Sequence, residues 1–202
     1  MTIVVGLTGS LSTGKSTVAS MLEEKGAKRL DADAIVHRII RRQGICFQSI
    51  VDEFGQDILN RGDIDRRKLA ALVFKDFKKL DKLTSIIHPV VKQELMEKVQ
   101  GYKKRFKRAV IVIDVPLLFE SGLNRDVDVT MVVKARRKEQ LARATGDLGL
   151  TTAEARRRIQ AQWPLTKKIR MADIIIDNSG TREQTKKEVE RIWQKLRRMI
   201  KR

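Results

Sequence analysis

One cysteine, Cys46, and two histidines, His37 and His88, are all that this sequence offers of the residues that build redox centres and transition-metal sites. A single thiol forms no internal disulfide, and two histidines without paired spacing leave no zinc-type ligand set. Aromatic residues make up only 4% of the chain, too few for a base-stacking platform that reads single-stranded nucleic acid. No apolar run approaches the roughly 18 uncharged residues that a membrane span requires, so no membrane partner is expected. The apolar stretch Thr2 to Leu7 lacks a basic leader and runs into a glycine-rich turn instead of a small-residue cleavage site. It predicts a first β-strand, in a cytoplasmic protein suited to a reducing compartment.

Acidic residues are also scarce: 25 Asp and Glu stand against 43 Lys and Arg, a formal charge of +18. That excess draws polyanions, whether nucleic acid, polyphosphate nucleotides or an acidic membrane surface, without choosing among them. With 202 residues the chain suits one compact unit carrying small insertions.

Val- and Ile-rich runs recur at Ile3 to Leu7, Val110 to Val115, Val127 to Val133 and Ile174 to Ile176, with a weaker one at Ala27 to Leu30. Helical periodicity separates them, which predicts an α/β fold with a parallel sheet of about five strands flanked by helices. Between about Ala34 and Arg108 the strand signal disappears, and the stretch reads as an all-helical insertion. A second insertion, crowded with Arg136, Arg137, Lys138, Arg143, Arg156, Arg157, Arg158, Lys167, Lys168 and Arg170, reads as a basic helical lid. Val189, Ile192, Trp193, Leu196 and Ile200 form one apolar stripe on a closing helix, best read as core packing.

Gly9, Ser10, Leu11, Ser12, Thr13, Gly14, Lys15 and Ser16 spell G-x-x-x-x-G-K-[ST] between a predicted strand and a predicted helix. Backbone N–H groups from Ser12 to Thr17 can wrap phosphate oxygens, and the helix beginning near Lys15 points its positive end at the same anion. Lys15 is expected at the β- and γ-phosphates of ATP, with the Ser16 hydroxyl on Mg²⁺. Asp31 and Asp33 follow the second strand, where one carboxylate can take the proton of an attacking hydroxyl while the other caps a helix or orients the site. Asp33 is the candidate base and Asp31 the orienting partner. Asp114 ends its strand where P-loop enzymes hold the Mg²⁺ shell through water; the alternative is a strand-end turn residue beside Pro116. Arg143 is either an arginine finger in cis or part of a solvated basic face.

Further blocks sharpen this reading. Gly6-Leu7-Thr8-Gly9 leads into the loop ending in Thr17, followed by Asp31-Ala32-Asp33, Ile87-His88-Pro89 and Pro116-Leu117-Leu118-Phe119-Glu120-Ser121-Gly122. Then come Gln140 with Arg143, Arg158-Ile159 with Gln162, Ala172-Asp173, and Ile176-Asp177-Asn178-Ser179-Gly180. In this order and over most of the chain, the sequence resembles the dephospho-CoA kinase family. The resemblance implies a P-loop NTPase fold and transfer of the ATP γ-phosphate to the 3′-hydroxyl of dephospho-CoA. It implies a nucleotide-binding core over residues 1–34, 106–135 and 172–202, a CoA-binding helical insertion over 35–105, and a lid over 136–171. Lys15, Asp33 and Arg143 would act in catalysis, and Asn178 and Gly180 would lie near the adenine. Asp33, His88, Pro89, Leu117 and Phe119 would face the acceptor, with Pro89 read as the first turn of a helix. The chain departs from the family pattern at Ser10 and Ser12, where glycine is common, and at Asp147, where a second lid arginine is usual. Another small-molecule or nucleoside (monophosphate) kinase is the nearest alternative. A nucleic-acid-associated P-loop ATPase rests on charge alone, and no specific nucleic acid is expected.

Overall fold

The structure is a computed structural model that describes residues 1–200. Along the chain run β1 (Ile3–Gly9), α1 (Lys15–Glu24), β2 (Lys28–Asp31), α2 (Ala32–Ile39) and α3 (Phe47–Phe54). Then come β3 (Leu59–Asn60), β4 (Asp63–Ile64), α4 (Arg66–Val73), α5 (Phe77–Arg105) and β5 (Val110–Asp114). The last elements are β6 (Val129–Lys134), α6 (Arg137–Leu148), α7 (Thr152–Gln160), α8 (Leu165–Arg170), β7 (Ile174–Asp177) and α9 (Arg182–Met199). The described residues divide into two compact units, residues 1–31 with 97–200, and residues 32–96.

The first unit is built on a five-stranded sheet of order β2-β5-β1-β6-β7, parallel throughout. Central β1 is buried along its whole length, which is why its sequence is continuously apolar instead of alternating. Ile3, Val5 and Leu7 face a core shared with Val18 and Leu22 of α1 and with Val189, Ile192, Trp193 and Leu196 of α9. On the opposite face Leu118 lies so close to β1 that a Cβ on Gly6 would stand 2.8 Å from its Cδ2. The stripe on α9 packs as its spacing predicts, and Thr181 starts that helix with a capping box closed by Gln184. The second strand begins one residue later than expected, so Asp31 is its last residue. Register then sets Asp31 beside Asp114 and Asp114 beside Leu7, bringing both carboxylates to the edge where β1 leaves the sheet.

The second unit contains α2, α3, α4 and most of α5, and it is not purely helical. A two-residue hairpin pairs Leu59 with Ile64 and Asn60 with Asp63. Its turn residues Arg61 and Gly62 both have positive φ, 51° and 84°, as a type I′ turn demands. Strands of two residues are too short to alternate, so the stretch read as all-helical in the sequence. Pro89 also departs from expectation: it lies well inside the 29-residue α5, not in its first turn. Pro89 supplies no N–H to the Ser85 carbonyl, and both residues sit on the exposed side of the helix, where a lost backbone bond costs least. Among the described residues no helix is long and apolar enough to cross a membrane.

Candidate active site

The phosphate loop is shaped by what its carbonyls bind. Gly9 ends β1 in a place no side chain fits, since a Cβ would stand 2.5 Å from Thr13 Oγ1 and 2.9 Å from the Val133 carbonyl. Gly14 is left-handed at φ 85°, and a Cβ there would collide with the Asn178 amide. Ser12 also has positive φ, 56°, which accounts physically for glycine suiting that position. The Ser10 carbonyl accepts from Thr13 N–H at 3.3 Å and Thr13 Oγ1 at 3.0 Å. The Thr13 carbonyl accepts from Asn178 Nδ2 at 2.8 Å, and the Gly9 carbonyl from Lys168 Nζ at 3.3 Å.

In a trans peptide the C=O and N–H point oppositely, so anchoring these three carbonyls turns the amides of Ser10, Leu11 and Gly14 the other way. The Leu11 amide donates to Gln162 Oε1 at 3.2 Å. At the start of α1, Lys15, Ser16 and Thr17 precede the first intrahelical bond, from Val18 N–H to the Gly14 carbonyl at 3.1 Å. Their amides and the helix dipole together make an anion site. One amide of the expected cradle is not part of it: Thr13 N–H points inward and closes the turn on Ser10.

Charge gathers beneath the loop. Lys15 Nζ forms an ion pair with Asp114 Oδ1, and Arg29 Nη2 binds Asp114 Oδ2 at 2.7 Å. Asp114 is 1% exposed, so these two cations are what make its burial as a carboxylate tolerable. Arg29 also lies 3.4 Å from Asp31 Oδ2, linking the carboxylates at the ends of neighbouring strands. Asp33 is exposed in the first turn of α2, in the second unit.

The segment expected to be a lid contributes from the other side. Arg143 Nη2 donates to the Asn178 carbonyl at 2.9 Å. Its Nη1 is buried with no hydrogen-bond partner and lies 3.6 Å from where a Gly14 Cβ would stand. The Asn178 side chain holds the loop, donating to Thr13 and accepting from Thr185 Oγ1 at 2.8 Å. Asp147, Arg136, Arg137 and Gly180 are exposed. Phe119 is buried and Leu117 half-buried, while on α5 of the second unit His88 is half-buried and Pro89 exposed.

Lys168 does not belong to a solvated face. It is 0% exposed, and its ammonium donates to Glu120 Oε1 at 2.8 Å and the Pro116 carbonyl at 3.0 Å as well as to Gly9. Burial pushes its pKa down, and the neighbouring Glu120 carboxylate works against that shift. Glu120 Oε1 also accepts the Trp163 N–H at 2.9 Å. In the sequence Arg29 carried no reading, Glu120 appeared only within a family-like block and Lys168 only as part of the basic lid; the one usable signal was that Lys168 falls three residues after Leu165, on a helix face that turns inward.

A family model described as dephospho-CoA kinase matches residues 3–184. The chain belongs to the dephospho-CoA kinase family. It is 42% identical over 190 residues to a dephospho-CoA kinase from Geobacillus kaustophilus, covering 94% of each chain. It is 44% identical over 191 residues to one from Symbiobacterium thermophilum, covering 94% of this chain and 80% of the relative. A solved dephospho-CoA kinase from Campylobacter jejuni superposes with a TM-score of 0.71 at 25% identity, covering 98% of this chain and 99% of the other. Membership in the dephospho-CoA kinase family makes the chain an ATP-dependent phosphotransferase, and the parallel sheet with its loop is the P-loop fold expected of one.

Proposed function

We propose that the chain transfers the γ-phosphate of ATP to the 3′-hydroxyl of the dephospho-CoA ribose, giving CoA and ADP, the last step of coenzyme A synthesis, in the cytoplasm. The observation that carries this reading is the phosphate loop, with three carbonyls anchored behind it, the first amides of α1 in front and Lys15 at its end. In the reaction the acceptor oxygen forms a bond to Pγ, the bond from Pγ to the bridging oxygen breaks, and ADP leaves with that electron pair. Asp33 takes the hydroxyl proton. Lys15 leaves Asp114 for the β- and γ-phosphates, and Arg143 meets the nucleotide with the Nη1 group that has no protein partner.

Among the described residues no three His, Cys, Asp or Glu side chains cluster as a metal cage. Mg²⁺ in phosphoryl-transfer sites takes one or two protein oxygens and completes its shell with phosphate and water, a demand that Ser16 and Asp114 fit. Bound there, Mg²⁺ would neutralise phosphate charge. The helical residues 35–105, with His88 and Pro89, are assigned to acceptor binding together with Leu117 and Phe119, and residues 136–171 to the lid.

A coupled assay with ATP, Mg²⁺ and dephospho-CoA tests the reading. ADP should form only when the acceptor is present, and nucleosides or nucleoside monophosphates should turn over at least about a hundredfold less well, the selectivity of a site that hydrogen-bonds its substrate. ATP hydrolysis that RNA stimulates and dephospho-CoA does not would overturn it. Within the lid, Arg143→Ala should lower kcat/KM for ATP by about tenfold or more, the loss of one charge-assisted hydrogen bond. Asp147→Arg, one helical turn further on, should leave turnover unchanged or raise it. Steady-state kinetics of both variants at one salt concentration checks this, and unchanged constants for Arg143→Ala would return that arginine to a structural role beside Asn178.

A further inference from the structure

Lys168 makes more bonds to the site than packing calls for. An ammonium has three donors, and here all three meet protein acceptors: a carboxylate and two carbonyls. Replacing a buried ion pair by apolar residues of similar volume is often neutral or stabilising, so stability alone does not account for a fully buried lysine. What the ion pair does provide is direction. The ammonium is fixed by Glu120, which is itself tied to the Trp163 amide, and it reaches the Gly9 carbonyl from behind the loop. From the same stretch of chain, Gln162 accepts the Leu11 amide. Residues 162–168 therefore hold two of the peptide groups that open the phosphate loop, one by its carbonyl and the other by its N–H.

We propose that Lys168 is a positioning residue for phosphoryl transfer, whose buried ammonium orients the Gly9–Ser10 peptide and thereby sets the phosphate loop for ATP. The inference rests on the reading of that loop as the ATP site. Without the ammonium, the Gly9 and Pro116 carbonyls lose a buried charged donor, and the Gly9–Ser10 peptide loses the group that fixes its carbonyl. A positive charge is also lost from behind the loop. The Gly9–Ser10 peptide belongs to the phosphate loop, while the Pro116 carbonyl and Glu120 flank Leu117 and Phe119 of the proposed acceptor side, so the larger effect is expected on nucleotide.

The test compares wild type, Lys168→Met, and the double variant Lys168→Met with Glu120→Gln, which removes both buried charges yet keeps a carbonyl oxygen for Trp163. Thermal melting, calorimetric titration with ADP and two-substrate kinetics are measured on each. Lys168→Met should weaken ADP binding by about tenfold or more and raise KM for ATP in step, with KM for dephospho-CoA held within about twofold. The double variant should recover melting temperature without recovering nucleotide affinity. Should Lys168→Met fail to fold, the double variant alone decides. Wild-type ADP affinity in either folded variant, or recovery of affinity together with stability in the double variant, overturns the proposal. Wild-type protein that binds ADP but never turns over dephospho-CoA would instead overturn the proposed reaction, while the binding comparison still decides the role of Lys168.

Discussion

Replacing Lys15 by Ala should abolish all but about 1% of phosphoryl transfer, while the protein stays folded. The magnitude follows from removing one preorganised charged donor at the developing phosphate charge, a loss of about a hundredfold to a thousandfold in turnover. The persistence of the fold follows from Asp114. That carboxylate is 1% exposed and loses one of its two cations, but Arg29 Nη2 remains on Oδ2 at 2.7 Å. A buried carboxylate with no partner would cost several kcal/mol, whereas one that keeps an arginine does not face that penalty. Arg29→Ala therefore makes the matching control: combined with Lys15→Ala it should destabilise the fold sharply, where Lys15→Ala alone shifts melting by only a few degrees. Turnover in Lys15→Ala within about tenfold of wild type would remove the loop from the mechanism. A melting temperature that collapsed in the single variant would show that Lys15 serves Asp114 more than phosphate.

The parts of this site that the sequence made legible are those where one local pattern dictates one geometry. The three central strands followed from short β-branched runs, since a strand buried on both faces has no alternation to lose, while the edge strands β2 and β7 gave shorter runs. The loop followed from two glycines at fixed spacing, which proved to be the two positions where Thr13 and Asn178 leave no room for a Cβ. Partners brought together by tertiary packing were not legible. Arg29 sits on a weak edge strand, and its guanidinium reaches a carboxylate 85 residues away. Lys168 looked like one basic residue among many because composition says nothing about which face of a six-residue helix turns inward. Pro89 misled in the other direction: a proline in a helical pattern usually marks a start, yet here it lies inside the helix on an exposed side.

The two carboxylates near the end of β2 should separate in their kinetic effects. Asp33→Asn should lower kcat by about a hundredfold to ten-thousandfold, the usual contribution of a general base, and leave ADP affinity within about twofold. An amide keeps the shape of the carboxyl and cannot take the acceptor's proton. The case for Asp33 as the base is one of division of labour. Asp31 ends β2 in register with Asp114 and shares Arg29 with it, so its charge already belongs to the network beneath the loop. Asp33 follows two residues later in the first turn of α2, exposed, and at most about 7 Å further along the chain. A base needs access to the acceptor, whereas the Asp31 carboxylate is already tied to a cation it shares with Asp114. Asp31→Asn should accordingly disturb ATP binding and Lys15 more than the proton transfer, raising KM for ATP with a smaller loss in kcat. Steady-state kinetics of the two variants with both substrates, alongside ADP titration, distinguishes these outcomes. If Asp31→Asn instead lost more kcat than Asp33→Asn at unchanged nucleotide affinity, the base would be Asp31, and its link to Arg29 would then serve to hold that base in place.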